Sequence, residues 1–253
     1  MKRFINKKET LTALSIVLLL GIWQLLAVIF DSPYLIPDPK ATLAAVIKLC
    51  MEGDFLMVVG STLLRGLIGF VLSGILGIAI GVLAGISPTF NTLITPLLVT
   101  IRSMPVISLI LLALIWFQTG AVPVFIGFLT MFPFMCTNVS DGIRSIDPGL
   151  IEMAHFYKVD KKRILTGVYI PAVMPFITSG ASSAMGIGWR AIIIGEVLSQ
   201  PVYGMGTRMQ MAQTYLNVEA LIAWTLIAIV LSFLFERLIR WGESYIIRWK
   251  NAS

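Results

Sequence analysis

"STLLRGLIGFVLSGILGIAIGVLAGIS", residues 61–87, runs for 22 residues after Arg65 without a single charged side chain. A bilayer core needs about 20 predominantly apolar residues per helix, so this stretch alone reads as a membrane span. Gly69, Ser73, Gly77, Gly81 and Gly85 stand four residues apart along it, which places small side chains in one stripe down a helix face. Such stripes let helix backbones approach closely in lipid, where packing rather than hydrophobicity drives association. A shorter stripe, Gly180, Ala184 and Gly188, occurs later in the chain. Each stripe is equally consistent with close packing that has no part in transport. The longer one places its segment at the centre of a helical bundle.

Working outward, the remainder has the same character. The chain is 253 residues long, 57% hydrophobic and only 13% charged, against about 25% charged in an ordinary soluble domain. That length leaves room for about five to seven spans with short loops, and none for a separate soluble domain. Six apolar segments emerge, at about 11–30, 57–86, 91–117, 121–140, 171–199 and 218–239. The third contains Pro96 and Pro105. The fold class is all-α: an integral membrane bundle of about six transmembrane helices in one domain over 1–253. Residues 31–54, Pro-rich at their start, read as a surface connection with a short amphipathic helix. The first segment resembles a signal peptide in its flanking charge, but it is too long and lacks a small-residue cleavage site. It reads as a retained span.

The net charge of +6 does not point to nucleic acid, because no soluble segment interleaves basic and aromatic residues. Lys2, Arg3, Lys7 and Lys8 precede the first span. Arg144, Lys158, Lys161, Lys162 and Arg163 follow the fourth, and Arg237, Arg240, Arg248 and Lys250 end the chain. These are 13 of the 19 basic residues. Six spans with both termini in the cytoplasm put all three clusters on the side that favours positive charge. Cys50 and Cys136 have no ligand-like spacing, so no metal site is expected.

Between the fourth and fifth spans lies "EMAHFYKVDKKRILTGVYIPAVMP", residues 152–175. Asp147-Pro148 is a helix start, with Asp as N-cap and Pro at the first helical position. The chain is expected to turn near Lys158-Val159 and restart at Asp160, a second N-cap ahead of Lys161, Lys162 and Arg163. The insert is therefore helix, tight turn, helix, feeding the fifth span at Pro171. It carries no nucleophile–base pair, and His155 is the chain's one histidine. No phosphate-binding G-x-x-x-x-G-K-[ST] loop occurs. A short amphipathic helix of this kind suits docking into a partner's groove, although a solvated connector has the same composition.

The insert resembles the EAA loop of ABC-transporter inner-membrane permeases. Glu152-Met153-Ala154 match its start and Ile170-Pro171 its end. Lys158 stands where that family usually has Gly, a costly exchange of about 1 kcal/mol if the position is left-handed. Residues 61–87 resemble the family's second-span signature, at Arg65 and the spaced glycines. "IRSMPVISLILLALIWFQTG" resembles its Arg-x-x-Pro and W-F-G region, with Gln118-Thr119 interrupting the latter. "WRAIIIGEVL" resembles a stretch of the branch importing nitrate, taurine, aliphatic sulfonates and thiamine-pyrimidine precursors.

The likeness covers roughly 57–240. It implies a permease without catalytic residues, with 141–170 as the cytoplasmic coupling loop. A second permease copy, cytoplasmic ATPase subunits that bind ATP and Mg, an extracytoplasmic solute-binding protein and the lipid bilayer are the implied partners. Glu152, Met153, Ala154, His155, Lys158, Val159, Asp160, Lys161, Arg163 and Pro171 would be the coupling residues. The alternative is a self-sufficient ion-coupled carrier or channel, for which no inverted repeat is visible.

Arg102, Pro105, Arg190 and Glu196 are the candidate pathway residues, because charges and helix breaks within spans often mark a pathway. Arg190 and Glu196 are six residues apart, about 600° around a helix, and so face different ways. Either the arginines attract an anionic solute, or they pair with Glu196, Glu219 or backbone carbonyls to fix helix positions. The structural reading is favoured. Residues 199–219, with their glycines, Arg208 and Met/Gln pattern, would lie outside and suit a surface for a delivering protein.

Overall fold

A computed structural model describes residues 2–32 and 34–246, without the side chains of 2–9, 13, 240 and 243–246. Lys2, Arg3, Lys7, Lys8, Arg240, Arg248 and Lys250, which underlie two of the three basic clusters, therefore lie outside the described side chains. The described chain is helical throughout: α1 (Lys2–Phe30), α2 (Pro39–Cys50), α3 (Phe55–Ile86), α4 (Pro88–Ser103), α5 (Val106–Trp116), α6 (Val122–Arg144), α7 (Pro148–Phe156), α8 (Lys161–Ile164), α9 (Ile170–Ser199), α10 (Met205–Thr214) and α11 (Val218–Ile246). Among the described residues, five helices are long and apolar enough to cross a membrane. The α4–α5 pair brings the number to six if it is one span.

That pair bends the third segment: over 91–117 the chain is not one straight helix but two, α4 and α5, that meet at 97°. Met104 is extended (φ −68°, ψ 134°), because the ring of Pro105 disfavours helical geometry in the residue before it and supplies no N–H. Pro96 stays inside α4 without ending it.

The chain forms two compact units. In the one made of residues 1–57 and 208–229, α1 and α2 are joined by the indole of Trp23 donating to the carbonyl of Pro37 at 3.0 Å. Asp38 caps α2 by accepting from the amide of Ala41 at 2.6 Å. Arg208 and Asp54 form an ion pair, and Phe55 stacks on Trp224 with ring centroids 5.9 Å apart.

The larger unit, residues 58–207 with 230–253, holds the candidate site residues. Its centre is α6 rather than α3: 56% of an 18-residue apolar stretch of α6 is buried, against 28% of the corresponding stretch of α3. The stripe on α3 abuts α6. A Cβ on Gly77 would fall 2.5 Å from Met135 Cβ, on Gly81 2.7 Å from the Cys136 carbonyl, and on Gly85 2.7 Å from Ile143 Cβ. A Cβ on Gly69 would lie 3.2 Å from the Phe128 amide nitrogen and 3.3 Å from the Val124 carbonyl, and Ser73 Oγ donates to the Phe128 carbonyl at 3.0 Å. The other side of α6 meets α9, where Gly180 faces Asn138 and Gly188 faces Met131. α6 is central because two helices each turn a small-residue face towards it.

Candidate functional site

At one end of the larger unit, five pieces of chain converge on Glu196. This residue of α9 is 0% exposed, and its carboxylate accepts from Arg65 Nη1 at 2.5 Å. It also accepts from Thr62 Oγ1 at 2.9 Å and from the amide of Gly206 at 2.9 Å. Arg65 donates further to the carbonyls of Tyr203 at 2.7 Å and Gly120 at 3.3 Å. The amide of Met205 donates to Thr62 Oγ1 at 2.9 Å. α3, α9, the loop before α6, the loop after α9 and the first turn of α10 are thus joined at one buried ion pair. Gly204 and Gly206 are required beside it: a Cβ there would lie 2.8 Å from the Glu196 carboxylate and 2.5 Å from the Ile193 carbonyl, respectively.

The partner of Glu196 is therefore Arg65, which the sequence marks only as part of the second-span signature. Each motif is visible by itself. Their pairing across 131 positions carries no local signal. With every carboxylate contact used by the fold and no exposed surface, Glu196 offers nothing to a passing solute in this arrangement.

Arg102 ends α4 just before the 97° bend, exposed, with its guanidinium 4.9 Å from the centre of the Phe134 ring. A cation over an aromatic face is favourable without neutralising the charge. A cleft of about 290 Å³ opens there, lined by Arg102, Met104, Thr130, Phe134 and Ile187 among others. Pro105 borders the bend. Arg190 lies on α9 among the exposed residues Ser183, Ile187 and Ile194, and no hydrogen bond or ion pair reaches it among the described residues. The structure brings none of Arg102, Arg190 and Glu196 together.

The insert folds as helix, turn, helix. Asp147 caps α7 by accepting from the amide of Gly149 at 2.9 Å, and Asp160 caps α8 by accepting from the amide of Lys162 at 3.2 Å. Between them Lys158 has φ 53°, so the position at which the resembling family carries Gly is left-handed here. Val159 donates back to the Ala154 carbonyl at 3.0 Å and closes the turn. α8 is only four residues long, and a π turn over Leu165–Tyr169 joins it to α9. Pro171 has no N–H for the α-helical bond one turn back, and the wider register, with Ile170 donating to Leu165, carries the chain past it.

α7 buries no residue. Met153, Phe156 and Tyr157 are 52%, 83% and 72% exposed, an apolar and aromatic face that nothing among the described residues covers. Glu152, His155, Lys161 and Arg163 are exposed around it, and Ala154 and Pro171 are half-buried.

Among the described residues, no group of His, Cys, Asp and Glu is arranged to hold a metal ion. Residues 77–247 match the family model described as binding-protein-dependent transport system inner membrane component. The chain is 22% identical to the taurine transport system permease protein TauC of Escherichia coli over 97% of its own length and 91% of that protein's. It is 27% identical to the bicarbonate transport system permease protein CmpB of Synechococcus elongatus over 71% of its length and 65% of that protein's. Its fold is similar to a chain of the MetNI methionine ABC transporter in inward-facing conformations, with a TM-score of 0.62, 16% identity, and coverage of 78% of this chain and 98% of that one. The chain belongs to the binding-protein-dependent transport system inner membrane component family: it is the multi-pass, non-catalytic permease subunit of an ABC importer in which a partner ATPase binds the ATP.

Proposed function

We propose that this permease forms the solute pathway as one of two identical copies, and that the 147–170 loop couples it to its ATPase. The observation that carries the reading is the bare face of α7. A connector of two short helices has no use for Met153, Phe156 and Tyr157 in water, whereas a groove on a partner would cover them. Glu152, His155, Lys158, Val159, Asp160, Lys161 and Arg163 then act as the rim and frame of that contact, with Ala154 and Pro171 setting its register against α9.

Residues 141–170 are the coupling loop of a single permease domain over 1–253, whose core is 57–240. Both termini are cytoplasmic, on the same side as the loop, and α10 with its flanks faces the binding protein outside. The solute is small and anionic, of the nitrate, sulfonate, taurine or thiamine-precursor class. The unpaired positive charges of Arg102 and Arg190 and the substrate named for the taurine relative support this reading. Pro105 shapes the wall beside Arg102, while Glu196 holds helices in place.

The test is purification of the tagged permease from its native membrane together with the proteins it retains. An ATPase with a phosphate-binding loop should accompany the parent and be lost from Glu152→Lys and Phe156→Ala. Full retention by both variants would refute coupling through α7.

A further inference from the structure

Thr130, Phe134, Thr137, Asp141 and Arg144 recur along α6 at spacings that fall within about 80° of one another at about 100° per residue. On α4, Asn91, Thr95 and Arg102 fall within about 40° by the same count. The two rows line one cleft of about 230 Å³, to which Asn91, Thr95, Arg102, Thr137, Ser140 and Asp141 all contribute. Arg102 also lines the neighbouring cleft with Thr130 and Phe134, so it stands where the two meet. Polar groups at membrane depth are costly unless they face protein or a water-filled cavity, and a run of them on two facing helices is not what apolar packing selects.

Ser140 supplies an independent observation. It is 4% exposed, borders this cleft, and its hydroxyl finds no hydrogen-bond partner among the described residues. Helix serines ordinarily back-bond to a carbonyl one turn earlier, as Ser73 does here. A buried hydroxyl left open beside a polar cleft is a donor held for something that enters it.

We infer that the α4–α6 cleft is where the solute resides within this permease, and that the site takes a small oxyanion. Arg102 at its inner end supplies the positive charge, and its stacking on Phe134 fixes the guanidinium without neutralising it. Asn91, Thr137 and Ser140 supply neutral donors, which can solvate an oxyanion without trapping it, while the Thr95 hydroxyl donates to the Asn91 carbonyl at 2.7 Å. Arg144, which donates to the Ala84 carbonyl at 3.1 Å, stands at the far end with a second positive charge. Asp141 beside it limits how long an anion lingers there. The inference rests on the importer reading and adds to it the place of the cargo.

The probe is a small oxyanion that reports its own arrival, the sulfonate-bearing reagent 2-sulfonatoethyl methanethiosulfonate. Its cationic counterpart is the trimethylammonium reagent. Thr137→Cys is made in the intact transporter lacking Cys50 and Cys136 and kept in lipid nanodiscs with its ATPase. After normalisation to a free thiol, the sulfonate reagent should react faster than the ammonium one. Adding Arg102→Gln should slow the sulfonate reagent and speed the ammonium one by about tenfold each, the weight of one unit charge in a partly hydrated site, and so shift that ratio by about a hundredfold, whereas Arg102→Lys should leave it in place. A Thr137→Cys transporter inert to both reagents, while an exposed Ser145→Cys control reacts, would mean a dry cleft and overturn the inference. A ratio unmoved by Arg102→Gln would overturn the anion assignment. Retention of the ATPase, measured on the same samples, keeps a failure of the importer reading apart from a failure of this one.

Discussion

Replacing Glu196 by alanine should unfold this permease well before it alters what the permease carries. The carboxylate is fully buried and accepts from Arg65 at 2.5 Å, Thr62 at 2.9 Å and the Gly206 amide at 2.9 Å. Alanine takes the carboxylate away from three donors, and the Arg65 guanidinium, only 14% exposed, keeps its carbonyl acceptors but loses its counter-charge. Stranding a buried charge in this way costs about 3–5 kcal/mol, and the orphaned neutral donors keep the effect at the upper end of that range. At about 2–4 °C per kcal/mol for a chain of this size, the midpoint should fall by about 6–20 °C. The assay is thermal unfolding of the detergent-solubilised transporter at fixed scan rate, since membrane-protein unfolding is often irreversible. Arg65→Met with Glu196→Leu removes both charges, and an apolar replacement of the pair should recover at least half of the loss. A Glu196→Ala protein that melts within about 2 °C of the parent yet no longer imports would refute the reasoning and make the carboxylate a pathway group.

Three further outcomes follow from the same geometry. Gly81→Ala should destabilise the protein by about 1–3 kcal/mol through overpacking, since its Cβ would lie 2.7 Å from a backbone carbonyl, whereas Gly74→Ala, with nothing within 4 Å, should be neutral in the same melt. Lys158→Gly should stabilise by about 0.5–1 kcal/mol, because it relieves a left-handed φ of 53° but loosens the unfolded chain. Arg190→Gln should reduce uptake by about tenfold, the weight of one charge in a partly hydrated site, with the ATPase still bound. Normal uptake by that variant would count against a positive pathway.

Much of the fold was legible because membrane spans are written locally. Twenty apolar residues in a row declare a helix in lipid whatever surrounds them, and the ends of α7 and α8 were readable from Asp147-Pro148 and Asp160 because a cap involves only its immediate neighbours. The turn near Lys158-Val159 was legible in the same way, but that Lys158 itself is left-handed came from the structure. A stripe of small residues announced close contact, but not with which helix. Placing α3 at the centre was the natural inference from its glycines, and it failed because a stripe records only one half of an interface.

From the sequence alone come the membrane, the helices, the capped insert and the likeness to importer permeases, since each is encoded within a few turns of chain. Only the tertiary structure decided that α6 lies between two small-residue faces, that Met104-Pro105 turns the chain by 97°, and that Arg65 rather than an arginine of the third or fifth segment meets Glu196. It also decided that the hydroxyls of α6 face Asn91, Thr95 and Arg102 across one cleft. These depend on which faces meet over long sequence separations, and the alternation of about 3.6 residues per turn fixes a residue's side of its own helix without naming the neighbour it will find there.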